Sequence, residues 1–102
     1  MVKTITAEEY ASLVENNERP VVLNFGSNGW GPCAQLGPVV SNVAEQVDSV
    51  DFYKVVVSDA PELAEQFGIM SIPTLVLVKN GEEVKRSVGF MPEEPLKEFA
   101  LS

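Results

Sequence analysis

The sequence predicts an α/β fold built on a mixed central sheet, and three observations lead there. Short β-branched apolar runs alternate with segments whose apolar residues recur at helical spacing. The runs at Val21-Val22-Leu23-Asn24-Phe25 and Thr74-Leu75-Val76-Leu77-Val78 are nearly continuous in apolar character, as strands covered on both faces should be. An Asn80-Gly81 pair then closes the second run with the signal of a type I′ hairpin, which adds an antiparallel strand. With 102 residues, 45% hydrophobic and 22% charged, residues 1–102 fit one domain with a core of ordinary size.

Each element carries its own local signal. Val2 to Ile5 is a short apolar run that reads as an edge strand. Thr6-Ala7-Glu8-Glu9 is a capping box, in which Thr6 accepts from the third amide and Glu9 reaches back. Tyr10, Leu13 and Val14 continue that helix to about Asn16, and Asn17-Glu18-Arg19-Pro20 ends it. After the strand Val21 to Phe25, the glycine-rich stretch Gly26 to Gly31 is a loop. Pro32 suits the first turn of the next helix because its missing N–H costs nothing there. Val39, Val40, Val43, Ala44 and Val47 form an apolar stripe to about Asp48, and Pro38 should kink it. Phe52 to Val57 is a buried strand, and Asp59-Ala60-Pro61-Glu62 reads as an acidic cap on a short helix ending at Gly68. Glu82 to Val88 returns antiparallel to Thr74–Val78, and Pro92 to Leu101 closes the chain with Leu96, Phe99 and Ala100 inward. The order is β-α-β-α-β-α-β-β-α.

Composition removes several function classes. Seven Lys plus Arg against fifteen Asp plus Glu leave a net charge of −8, which repels nucleic acid and anionic membrane surfaces. The chain has no His, and so lacks the commonest general base and the commonest zinc ligand. One Cys excludes an internal disulfide and a four-thiolate metal site, so neither metal nor cofactor is expected. The start carries no apolar stretch of the secretory kind, and a cytoplasmic location is the expectation.

Four residues stand out chemically. Cys33 comes directly after Gly31-Pro32 at a predicted helix N-terminus, where the dipole favours a thiolate; it reads equally as an inert, half-buried small residue. Trp30 lies between Gly29 and Gly31, with little local backbone to shield it, and is expected to be exposed. Asn24 is the one polar member of a buried strand, a place where an amide more often secures specificity than catalysis. Pro73, just ahead of a strand, suits a cis bond in a tight turn, although most X–Pro bonds are trans.

Taken together, Phe25 through Pro38, Gly68-Ile69-Met70-Ser71-Ile72-Pro73-Thr74, Lys79-Asn80-Gly81 and Val88-Gly89 resemble the thioredoxin family. Lys54 and Pro61 also stand where that family carries a Lys and a Pro. The resemblance spans essentially the whole chain. It implies the thioredoxin fold, with helices on both faces of the sheet, and a cis peptide at Ile72-Pro73 packed on the active-site loop. It further implies a surface for extended peptides or proteins made of Gly29, Trp30, Gly31, Pro32, Ile72, Pro73, Val88, Gly89 and Phe90. A thioredoxin reductase is the implied electron donor. A monomer is expected, with weak homodimerisation through the Trp30 surface as the alternative.

Departures fall on the positions that do the family's chemistry. Its Trp-Cys-Gly-Pro-Cys reads here Gly29-Trp30-Gly31-Pro32-Cys33, so Trp30 replaces the attacking cysteine and Cys33 matches the resolving one. (If Trp30 is instead the family's own Trp moved by one insertion, the attacking cysteine is deleted.) Asn24 replaces a buried Asp held to relay a proton to the second cysteine, and Gly26 replaces a Trp. Disulfide reduction needs an accessible thiolate to form a mixed disulfide and a second thiol to release it. One cysteine cannot run that cycle within the chain. Two readings are open: a peptide-binding module with impaired redox turnover, or a monothiol oxidoreductase in which Cys33 works with an external thiol.

Overall fold

A computed structural model describes residues 2–29 and 31–102. Five strands form one sheet: β1 (Lys3–Thr4), β2 (Val21–Gly26), β3 (Asp51–Val56), β4 (Thr74–Lys79) and β5 (Glu82–Val88), in the order β1-β3-β2-β4-β5. β3 runs parallel to both β1 and β2, whereas β4 is antiparallel to β2 and to β5. The sheet is therefore mixed. Helices α1 (Gly31–Gln46), α2 (Pro61–Gln66) and α3 (Glu93–Leu101) cover it.

Strand alternation divides the core into two halves. Val21, Leu23 and Phe25 of β2 pack with Tyr10, Val14, Leu63, Val76 and Val78 on one face. Val22 joins Leu36, Val40 and Val43 of α1 and Leu96 and Phe99 of α3 on the other. The whole of β2 is buried, which is why its sequence is apolar on both parities. By parity Asn24 belongs to the α1 face.

The Thr6–Glu9 capping box forms in both directions. The Thr6 N–H donates to Glu9 Oε1 at 3.0 Å, and the Glu9 N–H donates to Thr6 Oγ1 at 3.2 Å. The next segment, Ala11–Glu15, is π-helical instead of the expected α-helix. The Asn16 backbone N–H and its side-chain amide both donate to the Ala11 carbonyl at 2.9 Å. Asn side chains compete for helix carbonyls in this way, and the wider turn results. Tyr10 and Val14 still point into the core.

Other boundaries differ for local reasons. Gly26 continues β2 instead of opening the loop, and Gly31 already belongs to α1. Pro38 lies within α1 without ending it. α2 begins with Pro61 after an uncapped Ala60, so Asp59 is not its cap. Gly68 comes after that helix with φ +63°, a left-handed conformation that glycine adopts without steric cost. Asn80 and Gly81 have φ +53° and +79°, as a type I′ turn requires. A Cβ on Gly81 would also stand 3.1 Å from the Glu15 carbonyl oxygen, so this turn is packed on the end of the π segment. Among the described residues, no helix is long and apolar enough to cross a membrane.

Candidate functional site

Strand register gathers the sequence-selected residues at one end of the sheet. Phe25 of β2 pairs with Thr74 of β4, and Thr74 pairs with Val88 of β5. The loop after β2, the segment before β4 and the turn after β5 therefore leave the sheet at the same end. The Ile72–Pro73 peptide in that segment is cis. The Gly89 N–H donates to the Pro73 carbonyl at 2.8 Å, tying the turn after β5 to the proline. Gly89 does this at φ +97°, a conformation that favours glycine. Thr74, buried, satisfies its hydroxyl by donating to the Ser71 carbonyl at 2.6 Å, which tightens the turn into β4.

The surface so formed is apolar at its rim. Val88 and Phe90 are exposed, Ile72 is half-buried and Pro73 is buried. On the α1 side, Gly31 and Pro32 are exposed at the start of that helix, and Gly29, with φ +78°, is exposed in the loop before it. Trp30, the residue expected to enlarge this patch, lies outside the described residues. Met70, 96% exposed, stands three residues before Pro73; sequence patterning does not single it out, because nothing in a Gly-Ile-Met-Ser-Ile-Pro run tells an outward Met from a packed one.

Cys33 is placed differently from a free nucleophile. It sits in the first turn of α1 but is only 4% exposed. A Cβ on Gly26 would lie 3.1 Å from Cys33 Sγ and 4.0 Å from Asn24 Oδ1. The thiol is thus packed against the glycine that ends β2, with the Asn24 amide close by. Glycine at position 26 makes that approach possible, since any larger residue meets the sulfur.

Asn24 is 4% exposed, and no donor among the described residues reaches its Oδ1. It borders a cleft of about 140 Å³ lined also by Val2, Gly37, Val40, Ser41 and Lys54. Lys54 is the register partner of Asn24 on β3, and its Nζ donates to Asn28 Oδ1 at 3.1 Å. Sequence reasoning selects Lys54 and Asn24 but not Asn28, whose role depends on how the loop after β2 folds back.

Hydrogen bonds from Arg86 hold Glu83 below the usual carboxylate range, and Arg86 is raised in return. Arg86 also donates to the Phe67 carbonyl at 2.5 Å, fastening the end of α2 to the edge strand β5. The Lys3 ammonium and the Thr6 amide lower Glu9. Burial pushes Tyr10 and Tyr53 up.

Comparison with known proteins finds one family along the whole chain. The family model described as Thioredoxin matches residues 1–102. The thioredoxin of Alicyclobacillus acidocaldarius is 39% identical over 95 residues, 92% of this chain and 90% of that protein. Thioredoxin from Chlamydia caviae is 41% identical over 96 residues, covering 94% and 92%. Bacillus subtilis thioredoxin is 36% identical over 96 residues, covering 93% and 92%.

Proposed function

Since the chain belongs to the thioredoxin family of thiol–disulfide oxidoreductases, we propose that it binds extended peptide or protein segments against the Ile72–Pro73 and Gly89 surface, with dithiol disulfide reduction impaired or lost. The observation that carries this is the thiol inventory: one cysteine in 102 residues, buried at 4% exposure behind Gly26. A dithiol cycle forms a mixed disulfide at one sulfur and releases product through a second. Position 30, where the family places the attacking sulfur, carries an indole that has no lone pair to offer a disulfide. Asn24 cannot accept and return a proton as a carboxylate does. Binding needs none of these groups. The Gly89–Pro73 hydrogen bond ties the segment ahead of β4 to the turn after β5, beside the exposed apolar side chains of Val88 and Phe90 that a bound peptide would cover.

The alternative, a monothiol oxidoreductase, requires Cys33 to meet substrate directly, and burial of its sulfur speaks against that. A thioredoxin reductase is likewise a poor electron donor to a chain with no dithiol pair. We place the protein in the cytoplasm as a peptide-binding monomer. The test is turnover of a disulfide-bonded protein under excess thiol reductant, by the parent chain and its Cys33→Ser variant. Both are expected to match the reductant-only rate, and Cys33 should alkylate as slowly as a buried thiol. Turnover above that rate by the parent alone would return Cys33 to the role of nucleophile.

A further inference from the structure

Two Asn-Gly pairs occur in the chain, Asn28-Gly29 and Asn80-Gly81, and the fold treats them differently. Asn80-Gly81 is the turn between β4 and β5, closed by the Lys79–Glu82 register pair. Its φ values of +53° and +79° are those of the turn itself, and Gly81 is packed on the Glu15 carbonyl. Rotating the Asn80 backbone there means opening the hairpin. Asn28-Gly29 lies in the loop between β2 and α1, where both residues are exposed and neither belongs to a strand or helix. Nothing stands within 4 Å of a Cβ placed on Gly29, and no backbone partner among the described residues holds its N–H.

An Asn followed by Gly carries a latent reaction. The Gly amide nitrogen and the Asn side-chain carbonyl carbon are held close by the chain itself, so attack of one on the other closes a cyclic imide. Glycine has no Cβ to obstruct the approach. Negative charge gathers on the side-chain oxygen as the new bond forms. At Asn28 that oxygen already has a cation on it, since Lys54 Nζ donates to Asn28 Oδ1 at 3.1 Å. An ammonium placed there draws electrons from Cγ and stabilises the developing oxyanion.

We propose that Asn28 is a self-modification site, at which the loop entering α1 converts its own amide to a carboxylate. The Gly29 nitrogen bonds to Asn28 Cγ, the Cγ–Nδ2 bond breaks, and the Gly29 amide proton leaves with Nδ2 as ammonia. Water then opens the imide at either carbonyl and leaves aspartate or isoaspartate at this position, with no change of oxidation state. The product sets a carboxylate within reach of Lys54, so a neutral acceptor becomes a charged one and the contact strengthens. Isoaspartate also lengthens the main chain by a methylene just ahead of Gly31 and Pro32, at the start of α1.

The full chain is incubated in warm, mildly alkaline buffer; acidic species are separated by isoelectric focusing and located by peptide mass mapping. Parent, Asn28→Gln, Asn80→Gly and Lys54→Met chains are compared, folded and in concentrated guanidinium chloride, with circular dichroism to confirm the folded state. Folded parent and folded Asn80→Gly are expected to accumulate the same acidic species at the same rate, mapped to position 28, with ammonia released in step. Asn28→Gln should not form it. Lys54→Met should form it about fivefold more slowly, as loss of one exposed charge contact allows. In guanidinium chloride the two Asn-Gly pairs should react alike, because the fold no longer separates them. A folded parent that stays unchanged while the unfolded chain reacts, or modification of Asn80 ahead of Asn28, overturns the proposal. An equal rate in Lys54→Met overturns the part given to the ammonium. The readout is independent of peptide binding.

Discussion

Replacing Asn24 by Asp puts a carboxyl in a slot that is 4% exposed, at a position where no described donor reaches the present Oδ1. Ionising it there means desolvating a charge, so the carboxyl is held above the usual carboxylate range. Lys54, its register neighbour, lines the same cleft and offsets part of that cost, but its ammonium is already engaged with Asn28. An unpaired buried carboxylate costs several kcal/mol, and after the Lys54 contribution about 3 kcal/mol should remain at about pH 8. Proton linkage sets the sign. Below the unfolded carboxyl's own titration both states are protonated, and Asn24→Asp is close to neutral. As pH rises through the raised folded-state titration, the folded chain holds a proton that the unfolded chain has lost, and the difference in stability grows. Urea melts of parent and variant from about pH 4 to about pH 8 measure it. A difference that stays flat across that range, or a variant more stable than the parent at the alkaline end, would refute the assignment of Asn24 to a buried, unpaired site.

Gly26→Ala should cost about 1–3 kcal/mol, because the new Cβ stands 3.1 Å from Cys33 Sγ. Adding Cys33→Ala should recover much of that loss, and additive melting data would show that the sulfur is not what the methyl meets. Gly81→Ala should cost at least about 1–2 kcal/mol, since the position has φ +79° and the Glu15 carbonyl lies 3.1 Å from the added atom; thermal denaturation reads this directly. Arg86→Ala should remove only about 1 kcal/mol or less from this partly exposed pair. Glu83's folded-state titration is depressed, so its share of stability is present above its ordinary range and lost as pH falls through the lowered one. The parent–variant gap in chemical denaturation should therefore close on acidification.

Much of the fold was legible because it rests on local chemistry. The β-branched runs predicted β2, β3 and β4 to within a residue or two, since their period reflects which faces are covered. The reciprocal Thr6–Glu9 cap and the Asn80-Gly81 turn were equally readable, because each requires only groups close in sequence. The π segment was not, since Asn16 competes with an ordinary helix for a carbonyl on terms that residue spacing does not reveal.

By itself the sequence determined which chemistry is available: one thiol, no imidazole, an amide in place of a buried carboxylate and a net charge of −8. These are properties of composition, and no packing arrangement alters them. Tertiary structure alone decided access. Burial of Cys33 against Gly26, the orphaned Asn24 acceptor, the joining of Gly89 to Pro73 and the outward Met70 depend on strands and helices distant in the chain meeting at one end of a sheet. Local propensity carries no information about such meetings, because whether a side chain is covered depends on what the rest of the chain places over it.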